Sequence, residues 1–158
     1  TTMDTIKELR EETGLSLAQI KKALDEAQGD KEKARAILAQ YSEASASKKA
    51  DRDITAGVIA AYVHGTGTIG VLLELGCETD FVAKNEEFVA LAKDLAMHVC
   101  AMSPTSINNE DGLGEESALL HQAFIKSPDM TVEQKLQGAI QKFGENTKVT
   151  RFTRYSIG

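Results

Sequence analysis

Apolar residues over positions 1–41 recur at helical intervals, in three separate stripes. Ile6 and Leu9 open the first, Leu17, Ile20 and Leu24 make the second, and Ala34, Ile37, Leu38 and Tyr41 make the third. Turn and cap residues separate them. Gly14 tolerates the left-handed conformation that ends a helix, and Ser16 with Gln19 three residues on has the spacing of a capping box. Gly29 and Asp30 repeat the stop and the start. Three short amphipathic helices with facing apolar stripes predict a miniature bundle over residues 1–41.

The period disappears in residues 42–53, SEASASKKADRD, which read as a linker or a solvated helix extension. From Ile54 the pattern changes to that of strands: ITAGVIAAYV, then the glycine-rich HGTGT, then IGVLLEL, which predict a hairpin. Ile69, Val71, Leu73 and Leu75 alternate with Gly70, Leu72, Glu74 and Gly76, giving one strongly apolar face that requires a covering layer. A long helix from about Asn85, with Phe88, Leu91, Ala92, Leu95, Val99 and Met102 on one stripe, supplies it. A polar loop over 103–116 precedes two further expected helices. One carries Leu119, Leu120, Ala123 and Phe124, the other Val132, Leu136, Ile140 and Phe143. The β-branched and aromatic KVTRFTRYSI predicts a closing strand whose alternation slips between Val149 and Phe152, the mark of a bulge or an edge position. The expected fold class is α+β: a three-helix module at 1–41, a connection at 42–53, and an antiparallel-sheet core covered by helices at 54–158.

Composition narrows the function. The net charge of −6 opposes sequence-independent attraction to phosphate backbones, so no direct nucleic-acid binding is expected. No apolar run approaches the roughly 18 residues of a membrane span, and no secretion signal pattern is seen, so the expected setting is the cytoplasm, away from membranes. Cys77 and Cys100 stand far apart, outside any C-x-x-C arrangement, and read as reduced small hydrophobes.

Catalytic chemistry finds no support in the residues. Gly65, Gly67 and Gly70 match G-x-G-x-x-G, yet a strand follows where a phosphate-binding helix start would be needed, so the glycines read as hairpin turn residues. His64, His98 and His121 are scattered without cysteine or carboxylate neighbours at ligand spacing and read as surface or boundary residues. Neither a metal, a cofactor nor an enzymatic activity is expected. The stretch Cys77-Glu78-Thr79-Asp80-Phe81-Val82-Ala83-Lys84-Asn85 is different, because a strand ends and a helix begins around an aromatic set among polar residues. Thr79 or Asp80 can cap a short turn and Asn85 the long helix, leaving Phe81 to project as a binding anchor. Equally, Phe81 and Val82 can fold back as a hydrophobic staple; spacing alone leaves both open.

The run Thr79–Asn85, TDFVAKN, resembles the signature of the elongation factor Ts family. The likeness extends to KELREETG (Lys7 to Gly14), KKAL (Lys21 to Leu24) and Gly29-Asp30, which are similar to that family's ubiquitin-associated-like N-terminal module. Gly70 to Asn85 resembles the strand and corner of its core, and Phe124-Ile125-Lys126, Phe143-Gly144-Glu145-Asn146 and Arg151-Phe152 its closing segments. Two departures are visible: Leu15–Ile20 replaces the small residues and paired methionines usual between Gly14 and Lys21, and there is room for only one core subdomain and no coiled-coil insertion. The resemblance implies a non-catalytic guanine-nucleotide exchange factor that binds elongation factor Tu through Thr79, Asp80, Phe81, Val82, Lys84 and Asn85. A secondary contact would involve Arg10, Thr13, Gly14, Leu15, Lys21 and Lys22. The short form of the family can pair with a second copy, which makes a homodimer one expected assembly. The alternative, resting on residues 1–41, is a ubiquitin-associated-type protein-binding or chaperone-associated module.

Overall fold

Local capping chemistry sets the breaks between the first three helices where the pattern places them. The computed structural model describes residues 3–158. In it, α1 spans Met3–Thr13, α2 Leu17–Glu26 and α3 Lys31–Lys49. Gly14 adopts φ +69° directly after α1, and its N–H donates to the Arg10 carbonyl. Ser16 and Gln19 close the expected capping box at the start of α2, and the Asp30 carboxylate accepts from the backbone N–H groups of Glu32 and Lys33 at the start of α3.

The chain divides into two compact units, Thr1–Arg52 with Gln134–Asn146, and Asp53–Glu133 with Thr147–Gly158. In the first, Ile6, Leu9, Leu15, Ile20, Ala23, Leu24, Ala27, Ala34 and Leu38 form one buried cluster, with Ile37 and Tyr41 packed on it. Arg35 of α3 grips the Glu12 carboxylate of α1 bidentately at 2.8 and 2.9 Å, and Lys31 meets Glu8 at 2.6 Å. The bond from Lys31 holds the Glu8 carboxyl below its ordinary range. Of the two readings of 42–53, the helix extension is observed: α3 continues through Lys49, with Ser42 buried. This unit also takes in the greater part of α6 (Val132–Phe143), far along the sequence. A Cβ at Gly14 would lie 2.9 Å from the Gly138 carbonyl oxygen of that helix, so the helix approaches α1 where only glycine fits. Asn146, just past α6, donates to the Arg52 carbonyl at 2.8 Å.

The second unit is built on an antiparallel sheet in the order β1-β2-β5, with β1 at Ala56–His64, β2 at Ile69–Cys77 and β5 at Lys148–Ser156. The central β2 turns Val71, Leu73, Leu75 and Cys77 inward, and β1 contributes Ala60. Phe88, Leu91, Ala92, Leu95, Ala96 and Val99 of α5 (Glu86–Met102) cover that face. Met102, expected on the same stripe, is exposed, because the helix ends there and Ser103 turns left-handed. The glycine loop is a hairpin turn as the sequence predicts: Gly65 and Gly67 have positive φ, and Gly70 lies within β2. The expected irregularity in the closing strand is a bulge. Glu74 pairs with Arg151 but Leu75 with Val149, leaving Thr150 over. Thr150 and Arg151 both donate to the Glu74 carboxylate and lower its proton affinity.

Two expectations are corrected. Residues 119–124 do not form a helix. Two single 3₁₀ turns, Glu115–Ser117 and Leu119–His121, lead into the short strands β3 (Ala123–Phe124) and β4 (Ser127–Thr131). His98 is the reason, and it is itself fully buried rather than at the surface. Its Nδ1 accepts the Ile125 N–H at 3.2 Å, so its protonated Nε2 donates to Gln122 Oε1 at 2.9 Å. Gln122 in turn donates to the Glu116 carbonyl at 3.1 Å, and the Phe124 ring stacks on the imidazole. These tertiary bonds use backbone and side-chain groups that a helix would direct along its own axis, and they override the apolar period. Burial, opposed by the Gln122 bond, pushes the His98 pKa down.

Candidate functional site

The corner that follows β2 is fixed by caps at both of its ends. Thr79 is extended, and its hydroxyl accepts the Val82 N–H at 3.3 Å, starting the one-turn helix α4 (Asp80–Ala83). The turn closes through Ala83 N–H to the Thr79 carbonyl and Lys84 N–H to the Asp80 carbonyl. Asn85 then reverses the chain. Its side-chain oxygen accepts from Glu87 N–H at 2.8 Å and Phe88 N–H at 3.4 Å, which starts α5. Only Lys84 and the capping Asn85 separate the two helices, so α4 has no freedom to unwind without breaking a cap.

Phe81 and Val82 separate at this corner. Val82 is 5% exposed and, with Ala83, anchors α4 in the second unit, whereas Phe81 is 86% exposed. Successive positions in a helical turn point about 100° apart, so with Val82 and Ala83 sharing the buried side, Phe81 is turned out. Val82 therefore turns inward, and Phe81 does not fold back with it but projects. Asp80, Lys84 and Asn85 are exposed around the ring, and so is Thr79. An aromatic with one buried neighbour, capped on both sides and surrounded by polar groups, has the form of a preorganised binding anchor.

The family model described as "Elongation factor TS" matches residues 3–115. Elongation factor Ts of Carboxydothermus hydrogenoformans is 42% identical over 99% of this chain and 89% of its own length. That of Thermotoga maritima is 43% identical over 99% of this chain and 96% of its own. This chain belongs to the elongation factor Ts family. The alignment to the Carboxydothermus protein runs over 193 positions against the chain's 158 residues, so at least 35 positions of that elongation factor Ts have no counterpart here.

The residues singled out in the first unit fare differently. Arg10, Lys21 and Lys22 are exposed. Thr13 is half-buried and works within the turn: its hydroxyl donates to the Leu9 carbonyl at 2.7 Å and accepts the Leu15 N–H at 3.2 Å. Gly14 is closed over by α6, and Leu15, at 1% exposed, belongs to the core cluster, leaving neither side chain position free for a partner. The apolar spacing alone missed Leu15, which falls between two helices and outside either stripe. No group of three or more His, Cys, Asp or Glu residues able to hold a metal occurs among the described residues, and no described helix is long and apolar enough to cross a membrane.

Proposed function

We propose that this chain is the guanine-nucleotide exchange factor of elongation factor Tu, acting in translation in the cytoplasm as a binding protein without chemistry of its own. Membership of the elongation factor Ts family supports the partner, and the outward, doubly capped Phe81 carries the mechanism. A GTPase holds GDP through phosphate-loop N–H groups and through Mg²⁺, which offsets phosphate charge. Phe81 inserted between helices of the GTPase domain shifts the groups that order those phosphates, and Asp80 lies toward the metal. Thr79, Val82 and Asn85 hold the wedge in shape, while Lys84 flanks it. Arg10, Lys21 and Lys22 offer a second, cationic contact. By linkage, the factor by which this protein weakens GDP equals the factor by which GDP weakens its own binding.

The outer face of the sheet supports a homodimer. Ile59 and Val63 of β1, Leu72 of β2 and Tyr155 of β5 are all exposed on it, an apolar patch beyond scattered surface residues. A mass that rises with concentration in light scattering supports the pair, and a strictly monomeric mass at high concentration removes it.

Sizing chromatography tests the partner. The chain and elongation factor Tu co-elute without nucleotide and separate when excess GDP is added, while ubiquitin elutes alone. Co-elution with ubiquitin and not with elongation factor Tu would establish the ubiquitin-associated-type alternative.

A further inference from the structure

Thr55 lies just before β1, 23 residues from Glu78 in sequence, yet it is tied to the corner. Its N–H donates to the Cys77 carbonyl at 3.1 Å and its hydroxyl to the Glu78 carbonyl at 2.8 Å. The Cys77 thiol donates to the next carbonyl, that of Thr79, at 3.2 Å. The three carbonyls that lead from β2 into α4 are thus all gripped, two of them by Thr55. The strands can approach this closely because Gly57 and Gly76 face each other. A Cβ on Gly57 would lie 2.4 Å from the Leu75 carbonyl oxygen, and one on Gly76 would lie 2.4 Å from Ile54 Cγ2.

We propose that Thr55 is a positioning residue for nucleotide exchange, whose hydroxyl fixes the direction in which the corner presents Phe81. Thr55 touches no partner in this reading; it acts through Phe81, and the inference rests on the exchange function proposed above. Glu78 is the last residue before the Thr79 cap, so the orientation of its peptide sets the orientation of the whole turn. Val82 and Ala83 hold one side of α4 by burial, and the Thr55 hydroxyl holds the approach to it. Without that bond the corner distributes over several directions, and apparent affinity falls by the fraction that remains competent.

The test is a double-mutant cycle read by release of fluorescent GDP from elongation factor Tu. Thr55→Val keeps the side-chain shape and removes the donor, Thr55→Ser keeps the donor, and Phe81→Ala removes the anchor. Thr55→Val is expected to lower kcat/KM for exchange by roughly 3- to 10-fold, the range of one lost hydrogen bond, mainly through KM. Thr55→Ser is expected to exchange normally, and Thr55→Val to have no further effect on a Phe81→Ala background. Additive losses in the double variant, or normal exchange by Thr55→Val, overturn the positioning role. If Phe81→Ala itself exchanges normally, the wedge reading fails first, which distinguishes the two failures. Thermal unfolding of Thr55→Val separates a general loss of folded protein from a redirected corner, since only the former lowers the active fraction in a titration with elongation factor Tu.

Discussion

Phe81→Ala should cost this protein almost none of its stability and most of its exchange activity. Phe81 is 86% exposed, so only about a seventh of its surface is withdrawn from water by folding. Fully burying such a side chain is worth roughly 1.5 to 3 kcal/mol, and a seventh of that is about 0.2 to 0.4 kcal/mol. The higher helix propensity of alanine, about 0.5 kcal/mol, acts in the opposite direction within α4. The midpoint of denaturation should therefore stay within about 0.5 kcal/mol of wild type. Binding is another matter, because a central aromatic anchor is worth about 2 to 4 kcal/mol, or roughly 30- to 900-fold in affinity. Val82→Ala provides the contrast: the buried side chain beside it should cost about 1 to 3 kcal/mol of stability. Urea denaturation and stopped-flow release of labelled GDP on both variants separate the effects. A Phe81→Ala protein that unfolds early, or that exchanges normally when folded, refutes the projecting anchor.

Two further outcomes follow from the fold. Gly14→Ala should destabilise more than Gly29→Ala: both positions have positive φ, costing about 1 to 2 kcal/mol for a side chain, but only at Gly14 would the new Cβ meet Gly138 and Lys142, whereas Gly29 is open. Equal denaturation midpoints for the two variants would contradict the close approach of α6. His98 makes stability depend on pH. Its folded pKa is depressed below the unfolded value of about 6.5, so its contribution is complete above that value. It is lost as pH falls toward the folded pKa, by at most about 1.4 kcal/mol per pH unit. Thermal melts between pH 7 and pH 5 should show a steeper loss for wild type than for His98→Gln, and parallel curves would contradict it.

Elements controlled by neighbouring residues were legible in the sequence, and those controlled from a distance were not. The caps at Ser16, Asp30, Thr79 and Asn85 act within three residues, so their chemistry can be recognised by spacing. The bulge at Thr150 shows as a slip in alternation. By contrast, the segment after Leu119 follows bonds from His98, more than 20 residues earlier, which no local period contains. The same holds for α6 against Gly14, and for Thr55, whose partner carbonyl lies across the sheet. At the corner, spacing located Phe81 and Val82 but left their directions open. Burial decides between them, and burial depends on how α4 meets the sheet.

Exchange itself is read from the release of fluorescent GDP from elongation factor Tu when this chain is added in substoichiometric amount with excess unlabelled nucleotide. As an exchange factor, each molecule serves many GTPases in turn. Release should accelerate in proportion to added protein, raised Mg²⁺ should slow it, and the chain alone should neither bind nor hydrolyse GDP. A release rate unchanged at saturating protein would contradict it.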